Sequence, residues 1–335
     1  MSGHYTIYGG LGSPYSMKIR AVMRYRRMPH VWRQMGAQDV HVFQKVKAPV
    51  IPIVEYPDGT RKNDSTPLIF DFEARHAERS IVPEDAAHAF LAYLLEDMAD
   101  EWGTKLMFHY RWFRDRDQKQ LSEWLAFDRL RGAGRATILE AANAFRARQV
   151  GRMALVGCTK ENAPLIEKTA ERILGLFEAH VTEGAFLFGT RPSLADFGWF
   201  GQLSQLAVDP TPYDMMRERY PFALRWVQNA DDLSGVDGAW HDTSVPLPGV
   251  VTGLLRLAGE VYFPFLLANA EALAKGAEIF TFEALGTRYT QGVFKYQAKC
   301  LAELRVAYAK LDRDAKARVD AVLSGTGCLD ALAAG

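Results

Sequence analysis

The stretch from Tyr5 to Arg27 admits few folds. A short apolar run, Tyr5-Thr6-Ile7-Tyr8, meets a glycine-rich corner, Gly9-Gly10-Leu11-Gly12, and Ser13-Pro14 then opens a helix-like run from Met17 to Arg27. Ser13 stands where an N-cap hydroxyl belongs, and Pro14 stands at the first helical position, where a missing N–H costs nothing. Strand, tight turn and capped helix in that order place the unpaired amides of the turn at the positive end of a helix dipole. An anion, such as a thiolate, would be stabilised there.

The residues that follow extend this pattern. Ile19, Val22 and Met23 recur at helical spacing, with Lys18, Arg20, Arg24 and Arg27 assigned to the solvent face. Met28-Pro29-His30 ends the helix, and Val31 to Met35 reads as a second strand, so a parallel strand–helix–strand crossover is expected. Val50 to Tyr56 is strand-like, Pro57-Asp58-Gly59-Thr60 is a hairpin turn, Arg61-Lys62 begins the return strand, and Asp64-Ser65-Thr66-Pro67 opens a further helix. Pro52 fits its strand only at the start, in a cis peptide bond that leaves the Ile51 backbone free to pair with an extended ligand.

Taken as an ordered set, Ser13-Pro14-Tyr15-Ser16, Ile51-Pro52, Pro57-Asp58-Gly59 and Asp64-Ser65 resemble the thioredoxin-fold half of a glutathione transferase. The resemblance implies that Ser13 faces the glutathione sulfur, and that Ile51, Pro52, Asp64 and Ser65 bind the peptide backbone and the γ-glutamyl end. It also implies a homodimer and a small hydrophobic electrophile as second substrate. Asp64 departs from the family's usual Glu by one methylene. Gln44, Lys45 and Lys47 are the candidates for the glycyl carboxylate. Because Ser13 and Ser16 occupy both positions of the thioredoxin-type pair, disulfide exchange through an enzyme cysteine is excluded at this site.

From Ala86 the period is helical, after a proline-bearing charged linker at Glu78 to Asp85. Leu91, Leu94, Leu95, Met98, Trp102, Leu106 and Met107 mark a long helix reaching Trp112. By the resemblance, Trp102 and His109 to Trp112 border the electrophile pocket and the dimer contact. Glu101 and Lys105 read as a surface pair at helical spacing. Leu165 to Phe177 forms a second amphipathic helix, and Ser193 with Asp196 forms a capping box, a feature also characteristic of the family's helical half. Val250 to Ala274, Tyr289 to Leu311 and Asp314 to Leu323 read as further helices, with room for a short hairpin near Ile279 to Phe282.

The expected fold is therefore an α/β thioredoxin-like domain (1–80), an all-α helical domain (86–235) and a long C-terminal helical extension (236–335). A chain of 335 residues has room for that many cores. Its zero net charge gives no field to recruit nucleic acid or an anionic membrane. Charges inside Val250 to Ala274 argue against membrane insertion, and the N-terminus carries no secretory pattern, so the cytoplasm is the expected location. Cys158, Cys300 and Cys328 form no metal-type cluster and are odd in number, which argues against disulfides and a metal site. Glycines after a strand also suit a nucleotide, but Tyr15 replaces the third Rossmann glycine and no P-loop lysine follows. Three functions are left open: a glutathione transferase, a non-catalytic interaction protein of that fold, and a glutathione-dependent isomerase or etherase.

Overall fold

The computed structural model describes residues 3–46 and 48–333. In chain order the elements are β1 (Tyr5–Gly9), α1 (Pro14–Tyr25), β2 (His30–Gln34), β3 (Ile53–Glu55), β4 (Arg61–Asn63), α2 (Ser65–Arg75), α3 (Ala86–Met98), α4 (Thr104–Phe113), α5 (Asp115–Arg129), α6 (Arg135–Val150) and α7 (Ala163–His180). They continue with α8 (Leu194–Leu206), α9 (Pro210–Arg219), α10 (Pro221–Asn229), α11 (Gly249–Leu257), α12 (Phe263–Ala274), β5 (Ile279–Ala284), β6 (Thr287–Gly292), α13 (Lys295–Ala309), α14 (Arg313–Leu323) and α15 (Cys328–Ala333). The chain forms two compact units that interleave along the sequence. The first comprises Met1–Ile81, Tyr110–Gly151 and Trp199–Asp237, and the second Val82–His109, Arg152–Gly198 and Gly238–Gly335.

In the first unit, four strands lie in the order β2-β1-β3-β4. β1 and β2 run parallel, from Tyr5 opposite His30 to Gly9 opposite Gln34, as the strand–helix–strand pattern requires. β3 is antiparallel to both β1 and β4. It is shorter than the apolar run suggests because Pro52 has no N–H to give the ladder, which starts at Ile53. The Ile51-Pro52 bond is cis, as expected. Tyr8 is a core residue, packed with Val42 and Ile53 under Met35, Phe43 and Val46.

Only part of the basic face of α1 is solvated, for Arg27 is exposed and Arg24 half-buried. Lys18 is fully buried and Arg20 nearly so. The cause is α8: a Cβ at Gly201 would lie 2.8 Å from the Pro14 carbonyl oxygen and 3.2 Å from Lys18 Cβ, so the missing side chain lets the two helices meet. Arg20 and Arg24 share Asp231 at 2.6 and 2.7 Å, and Arg26 pairs with Glu73. Arg24 and Arg26 are therefore part of an ion-pair network, while Arg27 keeps most of its side chain in solvent.

In the second unit, α3 and α4 are joined by one π turn, Ala99–Gly103, and a like turn at Ala258–Tyr262 joins α11 to α12. The apolar segment from Gly249 to Ala274 is long enough to cross a membrane, yet most of it is buried within this unit. Its Phe265 packs with Trp102, Phe282 and Tyr289. Tyr289 belongs to β6 of the β5–β6 hairpin, so the helix expected from Tyr289 begins at Lys295. Strand alternation in β5 buries Phe280 and Phe282 and exposes their neighbours.

Burial changes the roles of two side chains in this unit. Lys105 is not a surface residue: its ammonium donates to Gln291 Oε1 at 2.7 Å and to the Val156 carbonyl at 3.2 Å, and burial lowers its pKa to about 8. Asp196 makes its half of the expected capping box, accepting from the Ser193 N–H at 2.9 Å, and it also accepts from the Ser193 hydroxyl at 2.6 Å. Asp196 also accepts from the Leu187 N–H at 3.0 Å and is buried, so it ties a preceding loop to the start of α8 as well as capping it. The three cysteines are free and buried.

Candidate functional site

The first unit contains all five residues singled out in the sequence. Ser13 is the N-cap of α1, and its Oγ accepts the Ser16 N–H at 3.2 Å. A hydroxyl has one hydrogen to give and lone pairs to receive. The cap uses a lone pair, and no described residue accepts the Ser13 hydrogen, which is left to donate. The preceding corner is closed by Ser13 N–H to the Gly10 carbonyl at 3.1 Å.

Ladder pairing sets Pro52 beside this corner, because Ile53 lies opposite Tyr8, near the end of β1. The Ile51 side chain also reaches it: a Cβ on Gly10 would stand 3.4 Å from Ile51 Cδ1. On its other side, Gly12 faces α5 so closely that a Cβ there would lie 2.3 Å from Leu125 Cδ2. Leu11, between these glycines, keeps 43% of its surface exposed.

Asp64 precedes α2 with φ at +79°, a left-handed conformation that costs a non-glycine residue on the order of 1–3 kcal/mol. Strain of that kind persists where surrounding structure imposes it. Ser65 follows as the first residue of α2, nearly buried, with Lys18 Nζ donating to its Oγ at 3.4 Å. A buried ammonium and a helix N-terminus together favour an anion at this point. Of the three candidates for a glycyl carboxylate, Gln44 is exposed, while Lys47 and the side chain of Lys45 lie outside the described residues.

Sequence reasoning misplaces Lys18 and does not show the partners of Arg111. Local spacing puts Lys18 on a solvent face, and nothing nearby in sequence signals the α8 glycine that buries it. Trp102 and His109 to Trp112, expected to border a pocket, are all five buried, His109 against Glu167 at 2.9 Å. Arg111 is engaged internally, with Asp209 at 2.9 Å, Gln205 at 2.7 Å and the Gly12 carbonyl at 2.8 Å. Burial raises the Asp209 carboxyl to about 6, with Arg111 opposing the rise.

Two family models match the chain. That for the glutathione S-transferase N-terminal domain covers residues 7–80, and that for the glutathione S-transferase C-terminal domain covers residues 84–229. The chain belongs to the glutathione S-transferase superfamily. Curated proteins give no match. Among solved structures, it is similar to a glutathione S-transferase of Methylobacterium radiotolerans in complex with glutathione sulfonate, with 17% identity and a TM-score of 0.43 over 73% of this chain and 100% of that one. It is also similar to a glutathione transferase of Phanerochaete chrysosporium, with 15% identity and a TM-score of 0.48 over 70% of this chain and 98% of that one.

Proposed function

We propose that this protein is a glutathione transferase of the serine type. Family membership supports glutathione as the thiol substrate, and the observation that carries the catalytic reading is the Ser13 hydroxyl, capped as an acceptor and free as a donor at the N-terminus of α1. Glutathione lies extended along Ile51-Pro52, its γ-glutamyl carboxylate at Ser65 and the Asp64 turn, with the Lys18 ammonium behind Ser65. Its thiol loses a proton beside Ser13, because the hydroxyl hydrogen and the helix dipole both favour the anion. The thiolate then attacks an electrophilic carbon of a small apolar molecule and forms the C–S bond of a thioether, while the bond from that carbon to its leaving group breaks and the leaving group departs as an anion with the electron pair. The apolar electrophile and a homodimeric state rest on family membership.

Ser13→Ala tests the assignment. Removing one hydrogen bond to a charged group, about 1.5–3 kcal/mol, raises the pKa of the bound thiol by about one to two and slows turnover by about ten- to a hundredfold. The thiolate absorbance of bound glutathione, followed against pH, measures it. An unchanged thiol pKa refutes Ser13, and absence of glutathione binding to the wild-type protein by calorimetry favours the interaction-protein reading instead. Residues 230–335, outside both family matches, are the part available for such a role.

A further inference from the structure

Two successive carbonyls immediately before Ser13 are held by side chains 99 and 194 residues away in sequence. Arg111 Nη1 donates to Gly12 O at 2.8 Å, and Gln205 Nε2 donates to Leu11 O at 3.2 Å. The two donors are themselves joined, Arg111 Nη2 to Gln205 Oε1 at 2.7 Å. Asp209 takes the remaining edge of the guanidinium at 2.9 and 3.2 Å. Arg111, Gln205 and Asp209 are 2%, 1% and 0% exposed.

A buried ion pair of this kind is weak as a device for stability, since well-packed apolar side chains often serve as well or better. Its distinctive property is the direction of its donors. The Gly12 carbonyl and the Ser13 N–H share one planar peptide group and point in opposite directions. Arg111 fixes that plane at its oxygen, and Gly10 O fixes it at its nitrogen, 3.1 Å from Ser13 N. The next side chain along the chain is the Ser13 hydroxyl.

We propose that Arg111 and Gln205 are positioning residues for Ser13: they clamp the Leu11 and Gly12 carbonyls so that the hydroxyl stays aimed at the bound thiol, with Asp209 holding the guanidinium fork in place. The catalytic consequence rests on the transferase reading above; the clamp itself does not. An Arg is required because only a rigid planar fork reaches Asp209, Gln205 and the Gly12 carbonyl together.

The experiment uses the full chain with Gln205→Leu and Arg111→Lys, and with the paired change Arg111→Met and Asp209→Leu, which removes both charges, to keep a folded variant should Arg111→Lys misfold. Amide hydrogen exchange in the free protein reads the turn directly. Loss of the clamp is expected to speed exchange at Ser13 and Ser16 by about tenfold or more while the β1–β3 amides keep their protection. With glutathione, the bound thiol pKa rises by about one and kcat falls about tenfold, while KM for glutathione moves less than about threefold, a split that general destabilisation does not produce. Unchanged exchange at Ser13 and Ser16 in folded variants overturns the proposal, as does a loosened turn with an unaltered thiol pKa. If wild-type protein gives no thiolate signal, the transferase reading fails, and the exchange data alone decide whether the clamp exists.

Discussion

Replacing Asp97 by Asn should make the protein more stable at alkaline pH and leave it nearly unchanged in acid. Asp97 is buried on α3, and the Tyr262 hydroxyl donates to its Oδ2 at 2.6 Å. Burial raises its carboxyl from the ordinary 3.8 to about 7, with Tyr262's hydrogen bond opposing the rise and Glu101 and Asp100 adding to it. A folded-state pKa above the unfolded one means the native state holds the proton more tightly. The stabilisation is fully present below about pH 4, falls as the unfolded chain ionises first, and is gone once pH has risen through about 7. The rise corresponds to at most about 4 kcal/mol of lost stability at alkaline pH. Asn keeps an acceptor for Tyr262 and has no charge to desolvate, so the difference between variant and wild type isolates this one group. Urea unfolding of both proteins at intervals from about pH 4 to about pH 9 should show a gap that opens in favour of Asp97→Asn up to about pH 7 and is level above it. A gap that does not change with pH, or a variant less stable than wild type at the alkaline end, refutes the reasoning.

Asp196→Ala should cost about 3–5 kcal/mol, because it orphans the buried Leu187 and Ser193 amides as well as removing a cap, and each unsatisfied buried group costs about 1–3 kcal/mol. A shift in the urea midpoint measures this; a loss near 1 kcal/mol would mean the site relaxes around the substitution. Native protein should react slowly with a thiol reagent at all three cysteines, since burial pushes Cys158 up to about 12 and Cys328 to about 11 and raises Cys300 as well. Prompt labelling of any of them without denaturant would contradict the burial.

Local signals carry much of the candidate site. Ser13 reads as a cap because capping depends on one residue and its neighbours, and Pro52 reads as the start of a strand because proline lacks the N–H that a ladder needs. The Ser193–Asp196 box is legible for the same reason. What those residues do beyond their own turn is not. The Leu187 amide on Asp196, the ammonium of Lys18 beside Ser65 and the donors on Leu11 and Gly12 all come from contacts that no spacing encodes.

The order of strand, capped helix and crossover, the proline at the head of β3, the change to helical period at Ala86 and the residues that resemble a glutathione site are all written in the chain. They follow from backbone chemistry and from periods of two and 3.6 residues, which are properties of short windows. Which charged residues are buried is a matter of three-dimensional contact. Lys18 and Lys105 look like surface residues to any local rule, and no local rule gives Arg111 its buried partners. Gly201 lets α8 close over α1, Gln291 comes from a distant hairpin to meet Lys105, and Asp209 takes Arg111 out of solvent. Burying a charge demands a partner, and the partner is chosen by the fold, not by the neighbouring sequence.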